Sequence, residues 1–248
     1  MRLLCAPFVG VEALDAGLLR KHHLRSLYVA IFPGVYLPRG VDPTFRQRAE
    51  AAWLWSQRRG VLSGLTASRL HGSPWIDDSL PIELVCCRGR SPAGIRCSRD
   101  SLAPGEQELR ASLPVTTAAR TAVDLGRRGN IGEAVARLDA LGNATGITSA
   151  QIAAVADAHP GMRGVRGLRR ALTMYDAGAQ SPKETWLGTS SAWRNSPRRA
   201  GRSSGSPPGH HPPRLFSGYA GSGMRRVCAE IAETGVPAIS AHTRRAQD

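Results

Sequence analysis

Four arginines, Arg163, Arg166, Arg169 and Arg170, recur at the spacing that puts side chains on one face of a helix. Val165, Leu168 and Leu172 fall on the opposite face. A guanidinium grips phosphate through two parallel N–H bonds and stacks on bases, so such a row fits a phosphate backbone. The chain carries 33 basic residues, of which all but Lys21 and Lys183 are arginine, so a solvated face of an arginine-rich protein fits the row equally well. Arg163, Arg166, Arg169 and Arg170 are therefore the candidate DNA contacts, with two readings open.

Other constellations are sparse. His22 and His23 have no partner at metal-ligand spacing, and His210 and His211 sit in a Pro/Gly-rich stretch. His71 falls in the last turn of a short helix, where a cation would favour the dipole. Asp77 and Asp78 occupy a turn and read as solvated. The five cysteines, Cys5, Cys86, Cys87, Cys97 and Cys228, form no CxxC pair and read as buried or incidental thiols. In a strand Cys86 and Cys87 would point to opposite faces. No phosphate-binding glycine loop and no GxSxG turn occurs. An intact hydrolase is not expected.

The formal charge is +14, which suits a polyanionic partner. The longest apolar run, Leu27 to Leu37, is 11 residues long and contains Pro33 and Gly34, too short and broken to span a bilayer. Met1 to Cys5 lacks the apolar stretch of a secretory signal, so the expected location is the cytoplasm. Composition changes after Leu187. From Gly188 to Arg225 there is no Asp, Glu or Lys, and 20 of the 38 residues are Gly, Ser or Pro. Such a stretch buries too little apolar surface to offset ordering entropy, so residues 188–248 read as a disordered basic tail.

The elements ahead of it are ordered. Asp42-Pro43-Thr44 predicts a helix start, with Phe45, Ala49, Ala52 and Trp53 at helical spacing until Gly60. Leu65 to His71 predicts a short helix closed by Gly72. Pro81 to Cys87 alternates as a strand, and Gly94 to Cys97 is its expected partner across the Arg88-to-Pro92 turn. Helices follow from Thr116 or Thr117 to Leu125, from Ile131 to Leu141, from the Thr148/Gln151 capping box to about His159, and from Gly164 to Tyr175. The fold class is α+β.

Five segments in order carry a resemblance. They are Ile31-Phe32-Pro33-Gly34-Val35-Tyr36-Leu37-Pro38, Ala51-Ala52-Trp53-Leu54-Trp55-Ser56, Pro81-Ile82-Glu83-Leu84, Leu113-Pro114-Val115-Thr116-Thr117-Ala118-Ala119-Arg120-Thr121 and Ser181-Pro182-Lys183-Glu184-Thr185-Trp186-Leu187. Together they resemble an actinobacterial family that joins an antitoxin-like winged helix-turn-helix region, of the abortive-infection type IV kind, to a very-short-patch-repair-like endonuclease domain. The resemblance implies a winged-helix-like body over residues 1–112, a helical region over 113–187, and the tail over 188–248. It places Gly34-Val35-Tyr36 in the wing. It also matches Glu184, otherwise the helix-capping residue of Ser181-Pro182-Lys183-Glu184, to the first acid of the nuclease.

The family's strand-borne Asp and its metal-binding Glu-Tyr-Asp-Gly segment do not occur after Leu187. A shifted reading frame accounts for the break, and a natural low-complexity linker is the alternative. Glu184 then stands as a vestigial catalytic position, with Mg²⁺ expected only in full-length relatives and no cofactor here. The expected function is a cytosolic DNA-binding, antitoxin-like or regulatory protein. The rivals are a metal-dependent endonuclease relative, degenerate here, and an interaction module that neutralises a toxin. DNA is the expected partner, with a toxin or other protein second and no membrane.

Overall fold

The computed structural model describes residues 4–86 and 90–178. The chain begins with a short strand β1 (Phe8–Val9), helices α1 (Gly10–Asp15) and α2 (Lys21–Leu27), and the hairpin of β2 (Tyr28–Phe32) and β3 (Val35–Pro38). β1 pairs antiparallel with β3, so the sheet order is β1-β3-β2. The hairpin turns at Pro33-Gly34, where Gly34 takes φ +80°, a conformation that costs glycine nothing. Ala13, Leu19 and Tyr28 form a small core beneath it, with Phe8 edge-on to Tyr28 at 5.0 Å between ring centres.

Helix α3 (Phe45–Trp55) starts two residues later than its Asp42-Pro43 signal suggests. Thr44 is the N-cap, accepting from the Gln47 amide while Gln47 reaches back to the Thr44 N–H. That reciprocal box satisfies two otherwise orphaned donors, so it outcompetes a Pro43 start. The short strand β4 (Val61–Leu62) and helix α4 (Gly64–Leu70) come next. Strands β5 (Ile82–Val85), β6 (Ile95–Ser98), β7 (Gln107–Arg110) and β8 (Leu113–Thr116) complete a second sheet of order β6-β5-β4-β8-β7.

The β5–β6 pairing is parallel, with Ile82 opposite Ile95 and Leu84 opposite Cys97, and not the hairpin expected across the Arg88-to-Pro92 turn. A period-two pattern is the same read in either direction, so alternation could not reveal the sense of pairing. Every residue of β5 is buried. That is the signature of a strand covered on both faces. The boundary expected between residues 112 and 113 falls inside the antiparallel β7–β8 pair, whose turn residues Ala111 and Ser112 both have positive φ. Phe32 and Val35 from the hairpin share one core with Ala49 and Ala52 of α3 and with Leu62, Ile82, Leu84 and Val115 of the sheet. The two sheets are thus tied through α3.

Four helices follow: α5 (Ala118–Gly126), α6 (Ile131–Thr145), α7 (Ser149–Asp157) and α8 (Val165–Leu172). Thr117, Asn130 and Thr148 cap the first three through side-chain oxygens. α6 runs one turn beyond its predicted end, to a left-handed Gly146. Val123, Val135, Leu138, Ile152 and Leu168 form their common core. Each such buried side chain contributes about 1.5–3 kcal/mol over an exposed one. α8 begins only after Gly164, at φ +91°, where a Cβ would run into the carbonyl oxygen of Arg127. The residues called as a tail, 188–248, lie outside the described residues.

Candidate nucleic-acid interface

α2 is an unusual helix, because none of its seven residues is buried and its N-terminus has no side-chain cap. Leu24 and Leu27 pack partly onto the core of Ala13, Leu19 and Tyr28. What fixes the helix is its continuity with the hairpin. It runs directly into β2, and Arg39, just past β3, closes the loop. The Arg39 backbone N–H donates to the Leu27 carbonyl at 2.9 Å, and its Nη2 donates to the Arg25 carbonyl at 3.0 Å. A guanidinium on the last carbonyls also suits the helix dipole. Helix and hairpin therefore present one rigid surface.

Every charged side chain on that surface is a cation. Between Asp15 and Asp42 the chain has no acidic residue, while Arg20, Lys21, Arg25 and Arg39 are all present and exposed. Lys21, Leu24, Arg25, Tyr28, Val29, Tyr36 and Arg39 line part of a groove of about 470 Å³ between helix and hairpin. The imidazoles of His22 and His23 lie 4.0 Å apart on the same helix. Burial, and then the neighbouring His22 ring and Arg20 guanidinium, hold His23 below its ordinary pKa. The sequence signal for this surface is the acid-free stretch itself, which spans a helix and a hairpin and so forms no charge row on a single helix.

The arginines singled out from sequence are all solvent-facing. Arg163 precedes α8, and Arg166, Arg169 and Arg170 stand on its outer face, while Leu168 and Ala171 are buried. Arg169 is partly neutralised by Asp157 at 2.9 Å, an exposed pair of small energetic value. The structure therefore brings these four together as one stripe, on the helical core rather than beside α2.

A third polar cluster is buried. Arg120, fully enclosed on α5, donates to Glu106 at 2.7 Å and contacts Asp124 at 3.4 Å. His159 meets the other Glu106 oxygen at 2.6 Å. Arg127 pairs with Asp124 at 3.0 Å and with Asp100, while Arg96 and Arg128 both pair with Glu83. Burial works to raise the Glu106 carboxyl, but bonds from His159, the Ala103 N–H and Arg120 together hold it below its usual range. A cavity of about 250 Å³ lies beside Glu83, Arg96, Asp100, Arg127 and Arg128. Four arginines face four carboxylates across this cluster, so no charge is left over for a ligand.

The other residues singled out from sequence lie elsewhere. His71 does close the short helix α4, as its C-cap. It is buried, its Nε2 donates to the Thr116 carbonyl at 2.8 Å, and burial keeps its pKa low and the ring neutral. Asp77 accepts from the Ser79 N–H at 2.8 Å, and Asp78 pairs with Arg69 at 3.1 Å. Both acids are exposed. Glu184 lies outside the described residues. Among the described residues no three His, Cys, Asp or Glu side chains are grouped to hold a metal ion, so the donor set that Mg²⁺ would need is not assembled there. No described helix is long and apolar enough to cross a membrane.

No family model and no curated protein matches the chain. Among solved structures it is similar to the crystal structure of the RV2827C protein from Mycobacterium tuberculosis, at 15% identity and TM-score 0.46. That match covers 75% of this chain and 76% of the other.

Proposed function

We propose that this chain binds duplex DNA through α2 and the β2–β3 hairpin, as an antitoxin-like or regulatory DNA-binding protein. The observation that carries the reading is the acid-free surface of Arg20, Lys21, Arg25 and Arg39, held rigid by the Arg39-to-Arg25 bond. The order β1-α1-α2-β2-β3 supports it, being the order of a winged helix-turn-helix whose second helix reads a groove. With its side chains an α-helix is about 10–12 Å across, which a major groove about 12 Å wide admits. A helix without buried side chains can turn its whole outer face to DNA. The Arg163/Arg166/Arg169/Arg170 stripe serves as a second, auxiliary phosphate contact.

The test is a salt titration of the full chain against a labelled duplex by fluorescence anisotropy. Micromolar binding near about 50 mM salt, falling steeply as salt rises through counterion release, is expected. No binding at that salt concentration would overturn the reading.

A further inference from the structure

Cys86, at the end of β5, and Cys97, on β6, place their sulfur atoms 2.9 Å apart. Two non-bonded sulfurs at van der Waals contact would sit farther apart than this, whereas a disulfide needs about 2.05 Å. The approach is a product of the parallel register. Leu84 lies opposite Cys97 on one face of the sheet, and the Cys86 N–H donates to the Ser98 carbonyl at 3.0 Å, so the strand continues far enough to bring Cys86 over Cys97 on that same face. Cys86 is buried and Cys97 half-buried, beside the cavity of Arg96 and Ser98.

We propose that Cys86 and Cys97 are a modification site, a thiol pair that closes to a reversible intramolecular disulfide on meeting a small-molecule disulfide. The less buried member, Cys97, reacts first. The Cys97 thiolate attacks one sulfur of the reagent, forming a mixed disulfide and releasing one thiol. The Cys86 thiolate then attacks the Cys97 sulfur and expels the second thiol. Two cysteine thiols lose two electrons and two protons, and the reagent is reduced to two thiols. The bond joins β5 to β6, an edge strand held by hydrogen bonds on one side only. It therefore fixes the strand that carries Arg96 and Ser98 beside the cavity.

The experiment treats the full chain with glutathione disulfide, then alkylates and maps tryptic peptides without reduction. The expected product is the peptide ending at Arg88 linked to Cys97-Ser98-Arg99, reversed by a dithiol reductant. Cys87→Ser, which removes the neighbouring thiol, should leave the link intact. Cys97→Ser should abolish it, and Cys86→Ser should leave Cys97 stalled as its glutathione adduct, identified by mass. Overturning outcomes are a glutathione adduct alone on the unmodified sequence, a link that runs to Cys5, Cys87 or Cys228, or full alkylation of both thiols after treatment.

Discussion

Arg120 has no solvent exposure, and its Nη1 donates to Glu106 Oε2 at 2.7 Å across 14 positions of sequence. The bond ties α5 to the loop ahead of β7, and through the other Glu106 oxygen to His159 beyond α7. Removing one member of such a pair strands a buried charge. Arg120→Met should therefore cost about 3–5 kcal/mol of unfolding free energy. In Arg120→Met/Glu106→Gln the loss should be smaller than the sum of the single losses by about 1 kcal/mol or more, since both charges go together. Urea denaturation of the four proteins of this cycle measures it, and strictly additive losses would show that the two groups do not act as a unit.

Acid should destabilise the fold in two windows. His71 has a folded pKa below its ordinary 6.5, so the unfolded chain takes up a proton that the folded chain refuses. Its stabilisation is full above 6.5 and is lost as pH falls below it, at no more than about 1.4 kcal/mol per pH unit. Glu106 has a folded pKa below its ordinary 4.5, so its contribution is full above 4.5 and is lost as pH falls through the lower folded value. The first window should flatten in His71→Gln, whose amide can still donate to the Thr116 carbonyl. Denaturation midpoints that fall equally with pH in both proteins would remove His71 from this account.

At Gly164 the left-handed φ and the Arg127 carbonyl combine. Gly164→Ala should destabilise by about 1–3 kcal/mol, through backbone strain plus a clash with backbone that cannot swing aside. Gly167→Ala is the control, because a Cβ there meets nothing within 4 Å. On a helix that change should be neutral or slightly stabilising. Thermal melts compare the two, and equal melting temperatures would contradict the assigned start of α8.

For DNA, the two basic surfaces predict different salt behaviour. Lys21→Ala/Arg25→Ala should weaken binding at low salt and reduce the slope of log affinity against log salt by about 2, one for each lost phosphate contact. Arg166→Ala/Arg169→Ala, the same loss of two charges, should have the smaller effect, because Arg169 is already partnered by Asp157. If the α8 variant loses more than the α2 variant, the primary contact belongs to the helical core and the orientation proposed for α2 is wrong.

Local chemistry was legible in the sequence wherever the cause was local. Thr148 with Gln151 declares itself because an N-cap needs only its own next few residues, whereas the start of α5 was legible only as Thr116 or Thr117 and the fold picks Thr117. The outward face of α8 was legible too, since helical spacing alone separates Arg166 and Arg170 from Leu168. Direction of pairing was not. Alternation in β5 and β6 carries no sense, and only the assembled sheet makes them parallel and brings Cys86 to Cys97. That His71 ends a short helix was legible, but its burial and its bond to the Thr116 carbonyl follow only from β8 packing against it. The cationic surface lay between the two cases. Its lack of acids is written in residues 16–41, but that those cations share one face follows from Arg39 folding back onto the end of α2, a contact between residues 14 apart in the chain. Charge content is a property of sequence, whereas its convergence is set by long-range hydrogen bonds and core packing.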